Sequence, residues 1–149
     1  MAKLTIAIAL LCPLAAYAAG ALSPEVTQDN THQTICQPGY TATVRPPRSY
    51  TDKVKRALMR EAGIDEGLIA EYELDHIIPL ALGGHPRKAE NLRLQPWEGE
   101  GGAKRKDRIE VKLQCLVCSG QVALADAQRE VAGDWQGACH RYSRPKCRR

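Results

Sequence analysis

Between Tyr72 and Gln95 the chain writes two short apolar runs around a polar loop, and this segment restricts the fold more than any other. Tyr72 to Leu82 reads as a strand, with Pro79 near its end. Gly83 to Glu90 reads as the loop, containing Gly83-Gly84 and Pro86. Asn91 to Gln95 alternates Leu92 and Leu94 with Arg93 and Gln95, the pattern of a return strand. After a link from Trp97 to Gly102, helical spacing begins at Ala103 and continues to Val117. It puts Ile109, Leu113, Leu116 and Val117 on one face, and Ser119-Gly120 ends it. A last helix is expected from Leu124 to Trp135. Upstream, Thr51 can cap a helix from Asp52 to Ala62, with Val54, Leu58 and Met59 as its apolar face and Gly63 as its stop. Ile64 to Ala70 is a loop or a short helical turn, and Thr34 to Val44 an extended segment turned at Pro38-Gly39. Pro46-Pro47 excludes helix where it stands. Strand, loop, strand and helix, flanked by other helices, make an α+β domain with a small sheet.

A chain of 149 residues is one domain's worth. Met1-Ala2-Lys3 followed by an apolar run from Leu4 to Ala16 fits a secretory signal. Ala16-Tyr17-Ala18 places the cut near Ala18 or Ala19. The apolar run is short for a membrane span, and no Lys/Arg cluster follows it. The expected organisation is a signal over 1–18, a loose segment over 19–33, a folded domain over 34–135 and a basic, Cys-containing tail over 136–149. The mature protein is expected to be periplasmic or secreted, with no membrane association. Five cysteines survive the cut (Cys36, Cys115, Cys118, Cys139 and Cys147), and in an oxidising compartment they are disulfide candidates. The tail carries Arg141, Arg144, Lys146, Arg148 and Arg149 and no acid. With those and Lys3 set aside, 15 basic residues face 17 acidic ones, so the body itself is not basic. A basic tail is either a solvated end or a contact to phosphate.

Asp75-His76 at the end of a strand, then Gly83-Gly84, then Asn91, is a pattern that suits phosphodiester hydrolysis. That reaction needs a base for water, a cation for the phosphoryl charge and help for the leaving oxygen. A neutral imidazole at His76 suits the first role. A carboxylate at Asp75 is a hard oxygen ligand for Mg²⁺, with Mn²⁺ or Zn²⁺ as alternatives. Adjacent strand residues point to opposite faces, so both serve one site only if the strand end is irregular or a metal reaches around it. Asn91 can bond the backbone of the loop and hold His76 in place. Lys104, Arg105, Lys106 and Arg108 open the following helix and can meet phosphates.

The run Glu73-Leu74-Asp75-His76-Ile77-Ile78-Pro79-Leu80-Ala81-Leu82-Gly83-Gly84, with Asn91-Leu92, resembles the HNH nuclease superfamily and its ββα-metal fold. Thr34-Ile35-Cys36, Gly39-Tyr40-Thr41, Lys106-Asp107-Arg108, Val117-Cys118-Ser119-Gly120 and Asp134-Trp135 extend the resemblance to a secreted bacterial subgroup. It covers about Val26 to Trp135. It implies a disulfide-braced hairpin-plus-helix core acting as a metal-dependent endonuclease, with DNA as the first expectation for substrate and RNA as the alternative. It implies that Asp75 is a metal ligand, His76 the general base and Asn91 the residue that stiffens the loop. The family's third position, His or Asn early in the helix, falls here at Lys104, whose ammonium has no lone pair for a metal. Lys104 can instead contact phosphate. Asp107 can add a ligand or pair with Lys106 or Arg108. Because Cys36 and Cys118 both lie in segments shared with the subgroup, the resemblance favours their pairing. Cys115, Cys139 and Cys147 then hold one more bridge and one leftover thiol.

Blander readings stand beside these. Glu73 reads as a sheet-face residue rather than a base, and His85 as a solvated loop residue. Trp97 and Trp135 read as packing residues. Arg45, Arg48, Lys53 and Lys55 line a groove or form a solvated face. The alternative function is an HNH-fold module that has lost turnover at Lys104 and holds nucleic acid or a partner, and a further rival is a disulfide-braced envelope protein. An inhibitor is not specified by any motif.

Overall fold

The computed structural model describes residues 20–144. The expected signal over 1–18 and the end of the basic tail, with Cys147, lie outside them. Two strands pair antiparallel, β1 (Tyr72–His76) and β2 (Leu92–Pro96), in the register Glu73 to Gln95 and Asp75 to Arg93. Around this hairpin stand α1 (Tyr40–Val44), α2 (Arg48–Glu61), α3 (Ala103–Cys118) and α4 (Leu124–Arg141). The architecture is a mixed α+β domain with a two-stranded sheet. Such a hairpin is marginal alone and needs helices to bury its faces. Helix α2 packs on both strands and sinks Met59 completely. Helix α3 approaches the hairpin from the side of Asp75.

The main core forms between α3 and α4. Ile109, Leu113 and Val117 meet Leu124, Ala127, Val131, Trp135 and Ala138, with Ile35, Ile78 and Leu82 inserted from elsewhere. Each buried Leu, Ile or Val stabilises the fold by roughly 1.5–3 kcal/mol. The expected stripe on α3 is therefore the one buried. Cys36 and Cys118 are joined, the pairing implied by the resemblance, and the bond closes a sequence separation of 82. Cys139 is a half-buried free thiol. No helix among the described residues is long and apolar enough to cross a membrane.

Several boundaries differ from the sequence reading. Strand β1 stops at His76 instead of Leu82, because Pro79 has no N–H for a ladder and the chain turns into a short 3-10 helix at Leu80–Leu82. Helix α2 begins at Arg48, a turn before the Thr51 cap, directly after Pro47, whose extended backbone (φ −64°, ψ 153°) makes it the N-cap. Tyr40–Val44 is helical rather than extended, entered through Gly39 at φ 81°. Within 20–33 most residues are exposed, but Val26 and Thr31 are buried and Leu22 is bridged to Gly84. Helix α4 runs past Trp135 across a break at Asp134 and buries Ala138, so 136–141 belongs to the folded body.

The loop between the strands is held from inside. Asn91 is fully buried, and its Oδ1 accepts from Ile78 N at 2.8 Å. Its Nδ2 donates to Ile78 O and His85 O, each at 3.0 Å. His85 is a turn-former here, its Nδ1 accepting from the backbone N–H groups of Arg87 and Lys88 at 3.1 Å. Gly84 must be glycine: a Cβ there would stand 1.7 Å from Ile78 O and 2.8 Å from Asn91 Nδ2. Gly84→Ala is therefore expected to lose about 3 kcal/mol, near the top of the overpacking range, because backbone must move. Gly133→Ala, in open space beside the break in α4 at Asp134, is expected to change stability by less than about 0.5 kcal/mol. Urea denaturation of the two variants checks the pair.

Candidate active cleft

Glu73 and His76 leave β1 on opposite faces, yet both line one cleft of about 680 Å³. A groove touching both faces must run along the strand's edge, and β1 pairs only with β2. The other wall is α3, through Asp107 and Glu110. Arg45, from the turn between α1 and α2, also borders the cleft, and the Cys36–Cys118 bond lies along it.

His76 is buried at 8 % exposure, and its Nε2 lies 3.2 Å from Pro86 O. A carbonyl can only accept, so Nε2 carries the proton and Nδ1 the lone pair. Burial pushes the imidazole pKa below its ordinary 6.5, outweighing the opposite pull of the Pro86 carbonyl and of Asp75. The ring is thus neutral at pH 7, held in one tautomer, and borders the cleft. Asn91 secures the loop on which Pro86 sits, which is the positioning role read from the sequence.

Asp75 lies behind the cleft at 7 % exposure. Its Oδ2 is 3.1 Å from Arg93 Nε, its cross-strand partner. The same carboxylate meets Lys106 Nζ at 3.1 Å (Oδ2) and 3.2 Å (Oδ1). Lys106 is fully buried. Its remaining contacts are His76 O at 2.8 Å and the Glu110 carboxylate. Three N–H donors thus find three acceptors, Asp75, His76 O and Glu110.

The metal implied by the resemblance can be set against this donor set. Asp75 is the expected ligand, and both of its oxygens already face cations of the chain. Lys104 is on the surface, paired with Glu98, and is not brought to His76. Asp107 faces the cleft, but among the described residues no three His, Cys, Asp or Glu side chains converge as a metal group. The residues present do not fit a divalent ion at Asp75.

Sequence reasoning singled out Asp75, His76 and Asn91, and these do come together. Lys106, expected among the phosphate contacts, is instead buried against Asp75, and Glu110 was passed over. Their signal was present: 106, 109, 110, 113 and 117 form one helical stripe, so Lys106 lies on the buried face that Ile109 and Leu113 define.

The other carboxylates carry a cost. Glu73 Oε2 is buried without a hydrogen-bond partner. Burial, then repulsion from Asp75, Asp107 and Glu110, pushes its carboxyl up to about 7. Burial also raises Glu110, to about 6, against the attraction of Lys106. A raised folded pKa means the native state holds the proton longer than the unfolded chain. Glu73 therefore contributes stability that is full below about 4.5 and is lost as pH rises through about 7. Glu73→Gln removes the ionisation, so its melting temperature relative to wild type is expected to rise between pH 4 and pH 8. Thermal melts at both values check this, and an equal difference at each would refute it.

No family model, curated protein or solved structure matches this chain, so the chemistry of the cleft is what speaks to its function.

Proposed function

We propose that this chain is an exported endonuclease of HNH type, hydrolysing phosphodiester bonds of nucleic acid in the cleft along β1. In this reading the hairpin and α3 are the ββα core that the sequence resembles. The observation that carries it is His76: a neutral imidazole with its Nε2–H fixed on Pro86 O and its Nδ1 lone pair unprotonated. Nδ1 takes a proton from water, and the water oxygen forms the new bond to phosphorus. The P–O ester bond breaks, and the leaving oxygen takes a proton from the Glu73 carboxyl, whose pKa near 7 keeps it partly protonated. Arg45 offers a fork of N–H donors to the phosphoryl oxygens.

A second groove of about 300 Å³ shares Arg45 and Glu73 with the cleft and is lined by Arg48, Lys55 and Trp97. It supplies a path for a phosphate backbone, and contacts of that kind position a strand without reading its sequence. DNA is the first substrate to test and RNA the second. The disulfide supports an oxidising compartment. The engagement of Asp75 by Lys106 favours one other reading, a nucleic-acid-binding module without turnover.

Nicking of supercoiled plasmid by the oxidised protein tests the proposal. His76→Ala is expected to lower the rate by about 10²–10⁴-fold, and Arg45→Ala by about 10²-fold. Because the base must be neutral, the rate is expected to fall as pH drops below the His76 pKa, itself under 6.5. Nicking that survives in His76→Ala would refute the assignment, and salt-sensitive binding without nicking would select the binding module.

A further inference from the structure

We propose that the Lys106 ammonium is the resident cation of the Asp75 site, and that the cleft works without a divalent metal. The proposal rests on the nuclease reading for its second half only; the first half concerns binding and stands alone.

A divalent ion of the Mg²⁺ kind needs about six oxygens at roughly 2.1 Å. At Asp75 the approach is closed from two sides. Lys106 Nζ sits within 3.2 Å of both carboxylate oxygens, and Arg93 Nε within 3.1 Å of one. A metal bound to either oxygen would stand against two positive groups. Nor can Lys106 readily step aside. It is fully buried in the second turn of α3, on the stripe of Ile109 and Leu113. Its three donors have protein acceptors, and withdrawal would leave Asp75 and Glu110 facing each other in a desolvated place. Within the group itself the carboxylates of Asp75 and Glu110 are matched by Lys106 and Arg93, so the oxygens of Asp75 are already neutralised by the chain's own cations.

The ammonium also does what a bound metal would do structurally. It ties α3 to the strand end by donating to acceptors on both, and one of these is the backbone carbonyl of His76 itself. The charge that meets a phosphoryl group then comes from Arg45 in the cleft, in front of the Asp75 cluster.

The test uses the oxidised, full-length mature protein. Mn²⁺ binding is followed by electron paramagnetic resonance, and plasmid nicking is followed with EDTA or added Mn²⁺. The expected result is no stoichiometric Mn²⁺ site tighter than about millimolar, and a nicking rate that EDTA changes by less than about twofold. Lys106→Gln uncouples the carboxylates and is expected to create a Mn²⁺ site that Asp75→Asn, added to it, removes. If Lys106→Gln fails to fold, the wild-type measurement decides alone. Stoichiometric Mn²⁺ binding by the wild type that is lost in Asp75→Asn would overturn the proposal, as would nicking abolished by EDTA and restored by Mn²⁺. Absence of both Mn²⁺ binding and nicking would leave the resident ammonium standing and sink the nuclease reading instead.

Discussion

One ammonium, placed where water cannot reach it, decides how the hairpin and α3 fit together. Lys106 bonds the carboxylate of Asp75, the carbonyl of His76 and the carboxylate of Glu110. Two of these come from β1 and one from its own helix. Desolvating such charges costs several kcal/mol per ion, and the cost is recovered only when geometry and hydrogen bonds are complete. Here they are, so the arrangement has one good solution and poor neighbours. A slip of β1 by one residue would turn Asp75 away and leave a buried cation unpaired. The register of the sheet is thereby set in part by polar contacts on this face.

The Asn91 amide plays the corresponding part in the loop. It replaces a missing stretch of ladder, supplying Ile78 with both donor and acceptor after the strand has ended. Gly84 leaves the room this requires. Between them, a lysine from the helix side and an asparagine from the loop side hold the two ends of the segment that presents His76. Neither contacts the cleft's contents; both act by fixing backbone.

Much of this was legible in the residues. The α3 stripe, the hairpin and the role of Asn91 follow from spacing and from the donor–acceptor inventory of an amide. The end of β1 was less legible, because Ile77 and Ile78 have strand propensity while their burial is in the helical core. Lys104 stood out because the third position of the family that the chain resembles falls there. The helical period puts it on the solvent side and Lys106 inside, against the general rule that lysine is exposed. The packing of Val26 and Thr31 was hidden by the polar composition around them. Where α4 ends was hidden too, since a run of basic residues reads as a tail although Ala138 is in the core.

The Cys36–Cys118 bond joins the segment that leads into α1 to the end of α3, and so it fastens one wall of the cleft to a segment that borders it. A binding site whose walls are separate must lose conformational freedom each time it is filled. Here part of that loss is incurred once, when the thiols are oxidised, and every later binding event starts from a shaped slot. Reduction removes this brace and, for a bond closing a sequence separation of 82, also costs the fold about 4–5 kcal/mol. The oxidation state of two sulfurs thus governs preorganisation of the cleft together with stability of the fold around it.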